Sequence, residues 1–210
     1  MNQFKNKHRG QRCIIACNGP GLNDIDMSLL DGEIVIALNR GYLKKDMPIT
    51  YMVVVNRKVE DQWGDEINKL GAKAVFSNSL SGSHILQFSP DVPSFQTDIT
   101  KQMWQGHTVT YVALQIAYYM GFSKVGLIGC DHNFPHMGRK LVGDDINHFD
   151  PNYFPDGARW DLPNLARTEL AYSLAKKAFE SAGRHLYNCS TFTKLDVIDK
   201  MSLSSFVEKK

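Results

Sequence analysis

The chain has 210 residues, of which 43% are hydrophobic and 22% charged, and its formal net charge is +2. This composition is typical of a globular protein. The small net charge argues against a dedicated nucleic-acid-binding protein, which usually carries a strong basic excess. The length predicts a single domain over residues 1–210, with a core at about residues 12–189 and a C-terminal segment at 190–210.

Targeting signals and paired cysteines are not evident in the sequence. No apolar run approaches the roughly 18 residues needed to span a bilayer. The basic N-terminus is not followed by the apolar region and cleavage site of a secretory signal. The four cysteines are spread without a paired framework, so we expect a reduced, cytoplasmic protein without a membrane span.

Short apolar runs alternate with longer helical segments along the chain. Strands are predicted at residues 13–17, 33–38, 51–55, 73–77, 124–128 and 185–188, and helices at 22–30, 59–70, 108–120 and 163–182. Residues 78–105 and 133–161 are predicted to be long loops, and 190–210 a closing segment with a frayed tail. Because the strands are short and almost wholly apolar, we predict a mainly parallel sheet covered on both faces. The fold class is α/β, a Rossmann-like three-layer sandwich.

The first predicted strand runs directly into the turn Asn18-Gly19-Pro20-Gly21. Glycine adopts backbone angles closed to other residues and leaves room for close approach to the main chain. In open α/β proteins a nucleotide commonly binds at such a loop, although an ordinary strand-to-helix turn has the same composition. The patterns of the P-loop and of the dinucleotide-binding fingerprint are both absent, which disfavours a P-loop kinase and an NAD enzyme.

Asparagine follows most of the predicted strands. The residues at the strand ends are Asn18-Gly19, Asn39-Arg40, Asn56-Arg57, Asn78 and Asp131-His132. The carboxyl ends of parallel strands meet at one edge of the sheet, where ligands bind. Asn both donates and accepts hydrogen bonds, so such a set suits a ribose, a sugar or a pyrimidine edge. Each Asn taken alone is equally well explained as a turn residue.

The start of the predicted helix at 108–120 is a second candidate binding element. Thr108 and Thr110 bring hydroxyl groups to a helix N-terminus, where exposed N–H groups and the helix dipole attract phosphate. Thr108 as a simple N-cap explains the same residues, and the two roles are compatible.

The second long loop and the strand end just before it contain several histidines and carboxylates, namely Asp131, His132, His136, Asp144, Asp145, His148 and Asp150. Their spacing matches no tight metal-ligand pattern, so a metal site is disfavoured. His148 lies in the aromatic stretch Asn147–Phe154 and is predicted to be a general base, oriented by Asp145 or Asp150. A structural role in a surface loop is the alternative for His148.

Three of these segments resemble bacterial sialyltransferases that use CMP-sialic acid. Residues 14–22, followed by Asn39-Arg40, resemble the opening of that family, in which the loop reads Asn-Gly-Pro-Ser where this chain has Gly21. Residues 107–121 and 125–131 resemble its nucleotide-contacting helix and the next strand, although that helix usually begins Thr-Ser-Gly. The resemblance implies a GT-A-like variant of the Rossmann fold and a histidine base near His148.

A closer resemblance is to the 6-hydroxymethylpterin diphosphokinase MptE-like group, whose domain also occurs in motility-associated flagellin glycosyltransferases. It is carried by residues 129–134 and 147–154 and by Arg159-Trp160, and it extends from Cys13 to about Asp196. This group implies a role in surface-glycan chemistry without specifying a substrate.

The leading functional hypothesis is a glycosyltransferase that moves a nucleotide-activated sugar, a CMP-linked nonulosonic acid such as sialic acid, to a glycan acceptor. The residues implied in catalysis are His148 and Asp131. Those implied in binding are Asn18, Gly19, Pro20, Gly21, Asn39, Arg40, Asn56, Thr108, Thr110, His132 and Tyr153. No metal or other cofactor is expected for this reaction.

Two other hypotheses stay open at this point. The first is a diphosphokinase that transfers pyrophosphate from ATP to a pterin alcohol, with magnesium held by Asp131, Asp144 and Asp145. The second is a non-catalytic nucleotide or glycan sensor that acts beside enzymes of surface-polysaccharide synthesis. The sequence leaves both a monomer and a homo-oligomer open.

Overall fold

The structure is a computed structural model that describes residues 1–135, 143–155 and 163–208. Its strands are β1 (Arg12–Ala16), β2 (Val35–Leu38), β3 (Tyr51–Val54), β4 (Ala74–Ser77), β5 (His84–Ile85), β6 (Lys124–Ile128), β7 (His185–Asn188) and β8 (Asp199–Lys200). Its α-helices are α1 (Arg57–Asn68), α2 (Val109–Tyr119), α3 (Leu165–Ser181) and α4 (Leu203–Val207). No helix in the described ranges is both long and apolar enough to cross a membrane.

The strands form a single sheet in the order β5-β4-β3-β2-β1-β6-β7-β8, and each described pair is parallel. The order reverses between β1 and β6, which pair from Arg12 opposite Lys124 to Ala16 opposite Ile128. Such a reversal opens a crevice at the carboxyl ends of the two strands. The α/β class predicted from the apolar runs is therefore confirmed.

Helices cover both faces of the sheet because the strand residues are apolar on both sides. Residues of α2 and α3, such as Val112 and Phe179, pack in one core cluster. Residues of α1 and α4, such as Val59 and Phe206, pack in the cluster on the other face, together with Phe149, Tyr153 and Phe154. Each face of the sheet is therefore covered by its own set of helices and loops.

The predicted helix at residues 22–30 is wrong in type. The chain forms two short 3-10 helices there, Pro20–Asp24 and Met27–Leu30, separated by Ile25 in an extended conformation. Pro20 fits the first position of a helix. Asp26 then starts the second one, because its side chain accepts a hydrogen bond from the N–H of Ser28 at 3.0 Å.

Two other predicted boundaries change. The stretch at 78–105 contains β5 and an isolated parallel bridge between Phe88 and Met103, so it is partly ordered by the sheet edge. Helix α3 begins after Asn164, whose side chain accepts from the N–H of Arg167, and Pro163 therefore precedes the helix.

The predicted frayed tail is also wrong for the residues up to 208, and Lys209 and Lys210 lie outside the described residues. Phe206 of α4 is buried against the backbone of Gly126 on β6, where an added Cβ would lie 3.0 Å from the Phe206 ring. The Arg12 guanidinium pairs with Glu33 and donates to the carbonyls of Val207 and Glu208, which are among the unpaired carbonyls at the end of α4. These long-range contacts fix a segment whose own sequence gives little sign of structure.

Candidate functional site

A cavity of about 640 Å³ lies at the carboxyl edge of the sheet, where the strand order reverses. Ten of the predicted site residues line it, namely Asn18, Gly19, Asn39, Asn56, Thr108, Thr110, Asp131, His132, His148 and Tyr153. Asn78, which follows β4, also lines it. Pro20, Gly21 and Arg40 are not among the lining residues.

Three helices begin at the wall of the cavity. Each has a capping side chain: Asn56 accepts from the N–H of Lys58, Thr108 from that of Thr110, and Asn164 from that of Arg167. The first turn of a helix presents N–H groups without helical carbonyl partners, and the helix dipole adds a partial positive charge. The arrangement favours a ligand with negative charge.

Backbone strain is concentrated around the cavity. In the described ranges, five residues other than glycine have positive φ, and three of them line the cavity: Asn39 at +46°, His107 at +58° and His132 at +50°. Asn tolerates this conformation more readily than His does. Strained backbone persists only where the surrounding structure holds it, and it is common at functional sites.

The glycines of the β1 loop make room for a carboxylate of the protein itself. Asp131, at the end of β6, accepts a hydrogen bond from the N–H of Gly21 at 2.6 Å. A Cβ added at Gly19 would lie 2.6 Å from Oδ2 of Asp131, and one at Gly21 would lie 2.6 Å from Oδ1. Burial raises the pKa of the Asp131 carboxyl. Through these contacts Asp131 connects the loop after β1 to the end of β6. Its catalytic role stays a prediction.

Arg40 holds the loop that carries His148. Its guanidinium donates to the carbonyls of Asn152 and Tyr153 and lies over the ring of Trp63, 3.9 Å from the centroid. The Tyr153 hydroxyl accepts from the N–H of Arg40 at 3.2 Å and from Nδ2 of Asn18 at 3.0 Å. Burial raises the pKa of Tyr153, so this hydroxyl stays neutral. Arg40 therefore does not line the cavity but holds in place Tyr153, which does.

His148 is fixed by a hydrogen bond to a carboxylate and by a stacked ring. Its Nδ1 lies 2.8 Å from Oδ2 of Asp145, and its ring stacks on Tyr153 with centroids 4.0 Å apart and planes 3° from parallel. The side chain of His148 is 16% exposed and that of Asp145 only 3%. Asp150, the other predicted partner, instead accepts from the N–H of Asn152 at 2.8 Å. The structure therefore selects Asp145.

This pair has the chemistry of a general base. An ionised carboxylate only accepts hydrogen bonds, so Nδ1 of His148 is the donor to Asp145. In the neutral imidazole the lone pair is then on Nε2. Such a nitrogen can take a proton from a hydroxyl, and the buried carboxylate stabilises the imidazolium that results.

Two further histidines of the cavity wall also contact carboxylates. Nε2 of His107 lies 3.2 Å from Asp91, and Nε2 of His132 lies 3.1 Å from Glu169. The side chains of these two carboxylates are 53% and 49% exposed, so water screens their charge. Asp145 is the buried carboxylate of the three pairs, which distinguishes His148.

Several lining residues were not predicted as site residues. They are Arg57, Lys58, Gln105, His107, Asn133, Phe134, Asn147, Phe154 and Tyr172. For Arg57 and Lys58 a signal was available, because α1 starts immediately after Asn56 at a strand end. When a helix begins just after a strand ends, its first turn lies at the same edge of the sheet as the end of that strand.

The described part of the chain contains no group of three or more His, Cys, Asp or Glu side chains arranged to hold a metal. Of the three carboxylates assigned to magnesium in the diphosphokinase hypothesis, Asp131 binds Gly21, Asp145 binds His148, and Asp144 is exposed. His136 and Arg159-Trp160 lie outside the described residues.

Comparisons with known proteins bear on the fold that carries this site. No protein-family model matches the chain, and a search of curated proteins gave no match. Among solved structures, the chain is similar to the sialyltransferase CstII from Campylobacter jejuni, determined in complex with the substrate analogue cytidine-5'-monophosphate. The TM-score is 0.53 at 13% identity, over 93% of this chain and 86% of the other. At this identity the similarity establishes the fold, and the MptE-like resemblance stays a prediction.

Proposed function

We propose that the protein is a glycosyltransferase that transfers a sugar from a CMP-linked nonulosonic acid, such as sialic acid, to a glycan hydroxyl. The observation that carries this proposal is the His148–Asp145 pair, whose histidine lines a cavity bounded by three helix N-termini. Support comes from the similarity of the fold to a sialyltransferase solved with cytidine-5'-monophosphate.

The donor occupies the half of the cavity formed by the β1 loop and the start of α2. Asn18 and Asn39 line this half, where the nucleoside and the departing sugar bind. Nδ2 of Asn18 donates to the Leu38 carbonyl and the Tyr153 hydroxyl, so Asn18 shapes the wall, and Asn39 faces the ligand with its Nδ2 group as a donor. The first turn of α2, at Thr108–Thr110, binds the phosphate. Donors fixed before the reaction stabilise the negative charge that grows on the phosphate as it leaves.

His148 acts on the acceptor. Its Nε2 removes the proton from the acceptor hydroxyl while the oxygen forms a bond to the anomeric carbon of the sugar. The bond from that carbon to the phosphate oxygen breaks, and the electron pair leaves with CMP. Asp145 keeps Nδ1 protonated and stabilises the imidazolium, which is how a buried carboxylate assists a histidine base.

A thermal-shift screen of CMP, CDP, UDP, GDP and ATP, each with and without magnesium, tests the nucleotide assignment. A ligand that binds only the native state raises the melting temperature by mass action. We expect the largest shift with CMP, unchanged by magnesium. A shift with ATP that requires magnesium, without one for CMP, would support the diphosphokinase instead. CMP binding without transfer to any acceptor would support the sensor.

A further inference from the structure

Two of the four cysteines line the cavity. Cys17 directly follows β1, and Cys130 follows β6 after a single glycine, so both lie where the strand order of the sheet reverses. The N–H of Cys17 donates to the Ile128 carbonyl at 2.8 Å, which extends the pairing of these two strands to the cavity. Cys17 is 5% exposed and Cys130 6%. Cys13 and Cys189 do not line this cavity.

Gly129 brings the two thiols to the same face of the sheet. Successive residues of a strand point to opposite faces, and Leu127 and Ile128 accordingly belong to opposite core clusters. Strict alternation would place Cys130 in the cluster of Ile128. Gly129 has a φ of +60°, which ends the extended strand and favours glycine. Beyond it, Cys130 lies in the same cluster as Cys17.

The two thiols contact each other and two hydroxyl groups. Sγ of Cys17 lies 3.5 Å from Oγ1 of Thr110, and Sγ of Cys130 lies 3.6 Å from the Tyr172 hydroxyl. A hydrogen bond to Cys130, together with burial, raises the pKa of the Cys17 thiol. Burial, together with contact with Cys130, raises the pKa of Tyr172. Cys17 and Tyr172 therefore keep their protons, and both donate to the sulfur of Cys130.

We infer that Cys17 and Cys130 form a reversible disulfide when the protein is exposed to a peroxide. The thiolate of Cys130 attacks one oxygen of the peroxide, the O–O bond breaks, and the leaving hydroxide takes up the proton that Cys130 released. The sulfur of Cys17 then attacks the resulting sulfenic acid, the S–O bond breaks, and the second hydroxide takes up the Cys17 proton. Two thiols are thus oxidised to one disulfide, and hydrogen peroxide is reduced to two waters.

The order of the two steps follows from the hydrogen bonds. A thiolate is the nucleophilic form of cysteine, and donors that contact a sulfur stabilise its negative charge. Two donors contact Cys130, so Cys130 reacts first and Cys17, which still carries its proton, resolves the sulfenic acid. All four cysteines are free in the structure, which therefore shows the reduced form.

Oxidation alters the cavity without modifying His148. A disulfide holds its sulfur atoms about 2.0 Å apart, so Sγ of Cys17 moves away from Thr110 in the first turn of α2. The new bond also joins the residue before Asn18 to the residue before Asp131, and both of these residues line the cavity.

Peptide mapping of the intact protein tests the inference directly. The protein is treated with hydrogen peroxide, quenched, alkylated in denaturant without a reductant, and digested with trypsin. Because Cys13 and Cys17 share the tryptic peptide of residues 13–40, the mapping is repeated on Cys13→Ala, in which that peptide has one cysteine. Cys189→Ala is the second control, at a buried thiol that does not line this cavity.

We expect the unmodified protein to lose two of its four free thiols and to regain both with dithiothreitol. The cross-linked peptides should contain Cys17 and Cys130, and both alanine variants should form the same bond. An oxidised protein without this bond, bonds to Cys13 or Cys189, or a loss of thiols that dithiothreitol does not reverse would overturn the inference.

Dimedone, which labels sulfenic acids, tests the two roles. Cys17→Ser should accumulate the label at Cys130, because no thiol is left to resolve the sulfenic acid, and Cys130→Ser should take up little. Labelling of Cys17 in Cys130→Ser, without labelling of Cys130 in Cys17→Ser, would contradict the assigned order. The inference does not depend on the proposed function, whose nucleotide screen is run on the reduced protein.

Discussion

Two stacked histidines lie at opposite ends of the same sheet, and their surroundings differ in one decisive respect. At the amino end, the His8 ring stacks on Phe122 with centroids 4.7 Å apart and planes 9° from parallel. Its Nδ1 lies 2.6 Å from the Gln11 amide oxygen and its Nε2 2.8 Å from the Tyr51 hydroxyl. At the carboxyl end, His148 stacks on Tyr153 in almost the same way.

The partners, rather than the burial, separate the two histidines. Both ring nitrogens of His8 contact neutral side chains, and burial lowers the pKa of His8. His148 contacts a buried carboxylate and lines a cavity. A stacked, half-enclosed imidazole is therefore a structural element in one place and a candidate base in the other. The variants below test whether this difference has the consequence that we assign to it.

The largest effect is expected for His148→Ala. General base catalysis typically contributes about 100-fold to 10,000-fold to a rate, so kcat for transfer should fall by that range. Affinity for CMP should stay nearly intact, because the nucleotide is assigned to the β1 loop and α2. Transfer is measured by CMP release and affinity by isothermal titration.

The matched control for this variant is His185→Ala. His185 is exposed at the amino end of β7, far from the carboxyl edge of the sheet, and its loss should leave transfer unchanged. If His148→Ala lost CMP affinity and transfer together, His148 would be a binding residue and the role of base would be wrong.

Asp145→Asn should have the second largest effect. The amide can still accept from the N–H of Asn147, but it now donates to Nδ1 of His148 and so moves the ring proton to Nε2. We expect kcat to fall about 10-fold to 1,000-fold with little change in CMP affinity. An Asp145→Asn protein with normal kcat would show that the carboxylate is only structural. Asp150→Asn, at the rejected partner, is the control.

His8→Gln should affect stability and leave transfer unchanged. Disturbing a buried hydrogen-bonded network should lower the free energy of unfolding by about 1–3 kcal/mol, measured with urea. Because the pKa of His8 is lowered below 6.5 in the folded state, the unfolded state binds more protons as the pH falls through that value. The unmodified protein should therefore lose stability from pH 7.5 to 5.5 more steeply than His8→Gln. Parallel curves of stability against pH for the two proteins, or a loss of transfer in His8→Gln, would contradict the structural role that we assign to His8.

The smallest effects are expected for the hydroxyls of the two partner tyrosines. Tyr51→Phe removes the partner of His8 Nε2 and should cost about 1 kcal/mol of stability without changing kcat. Tyr153→Phe keeps the ring that stacks on His148 but removes the acceptor of the bonds from Asn18 and Arg40. It should cost a similar amount and also weaken CMP binding a few-fold, since Asn18 lines the cavity. Identical CMP affinities in the two variants would contradict this difference.

Much of this architecture follows from local sequence. Apolar runs locate the strands, and the rule that parallel strands end at one edge places Asn18, Asn39, Asn56 and Asp131 at one cavity. The partner of His148 could not be predicted, because Asp145 is three residues away and Asp150 two, and loop geometry decides between them.

Contacts between distant residues set the limit of the sequence predictions. The Gly19 and Gly21 pair was interpreted as room for a ligand, whereas Asp131, 110 residues after Gly21, occupies that space. The sequence of residues 190–210 predicts a closing segment with a frayed, charged tail. The segment is instead held in place by Phe206, whose ring packs in the space that Gly126 of β6 leaves because it has no side chain.

Chemical rescue of His148→Ala tests the central claim most directly. With CMP-sialic acid and a glycan acceptor, the variant is assayed with increasing concentrations of imidazole, which can replace a missing base in the space left by the side chain. We predict that imidazole restores transfer to His148→Ala in proportion to its concentration and has no such effect on Asp145→Asn, in which the ring is still present. Full activity of His148→Ala without imidazole would contradict the assignment of His148 as the base.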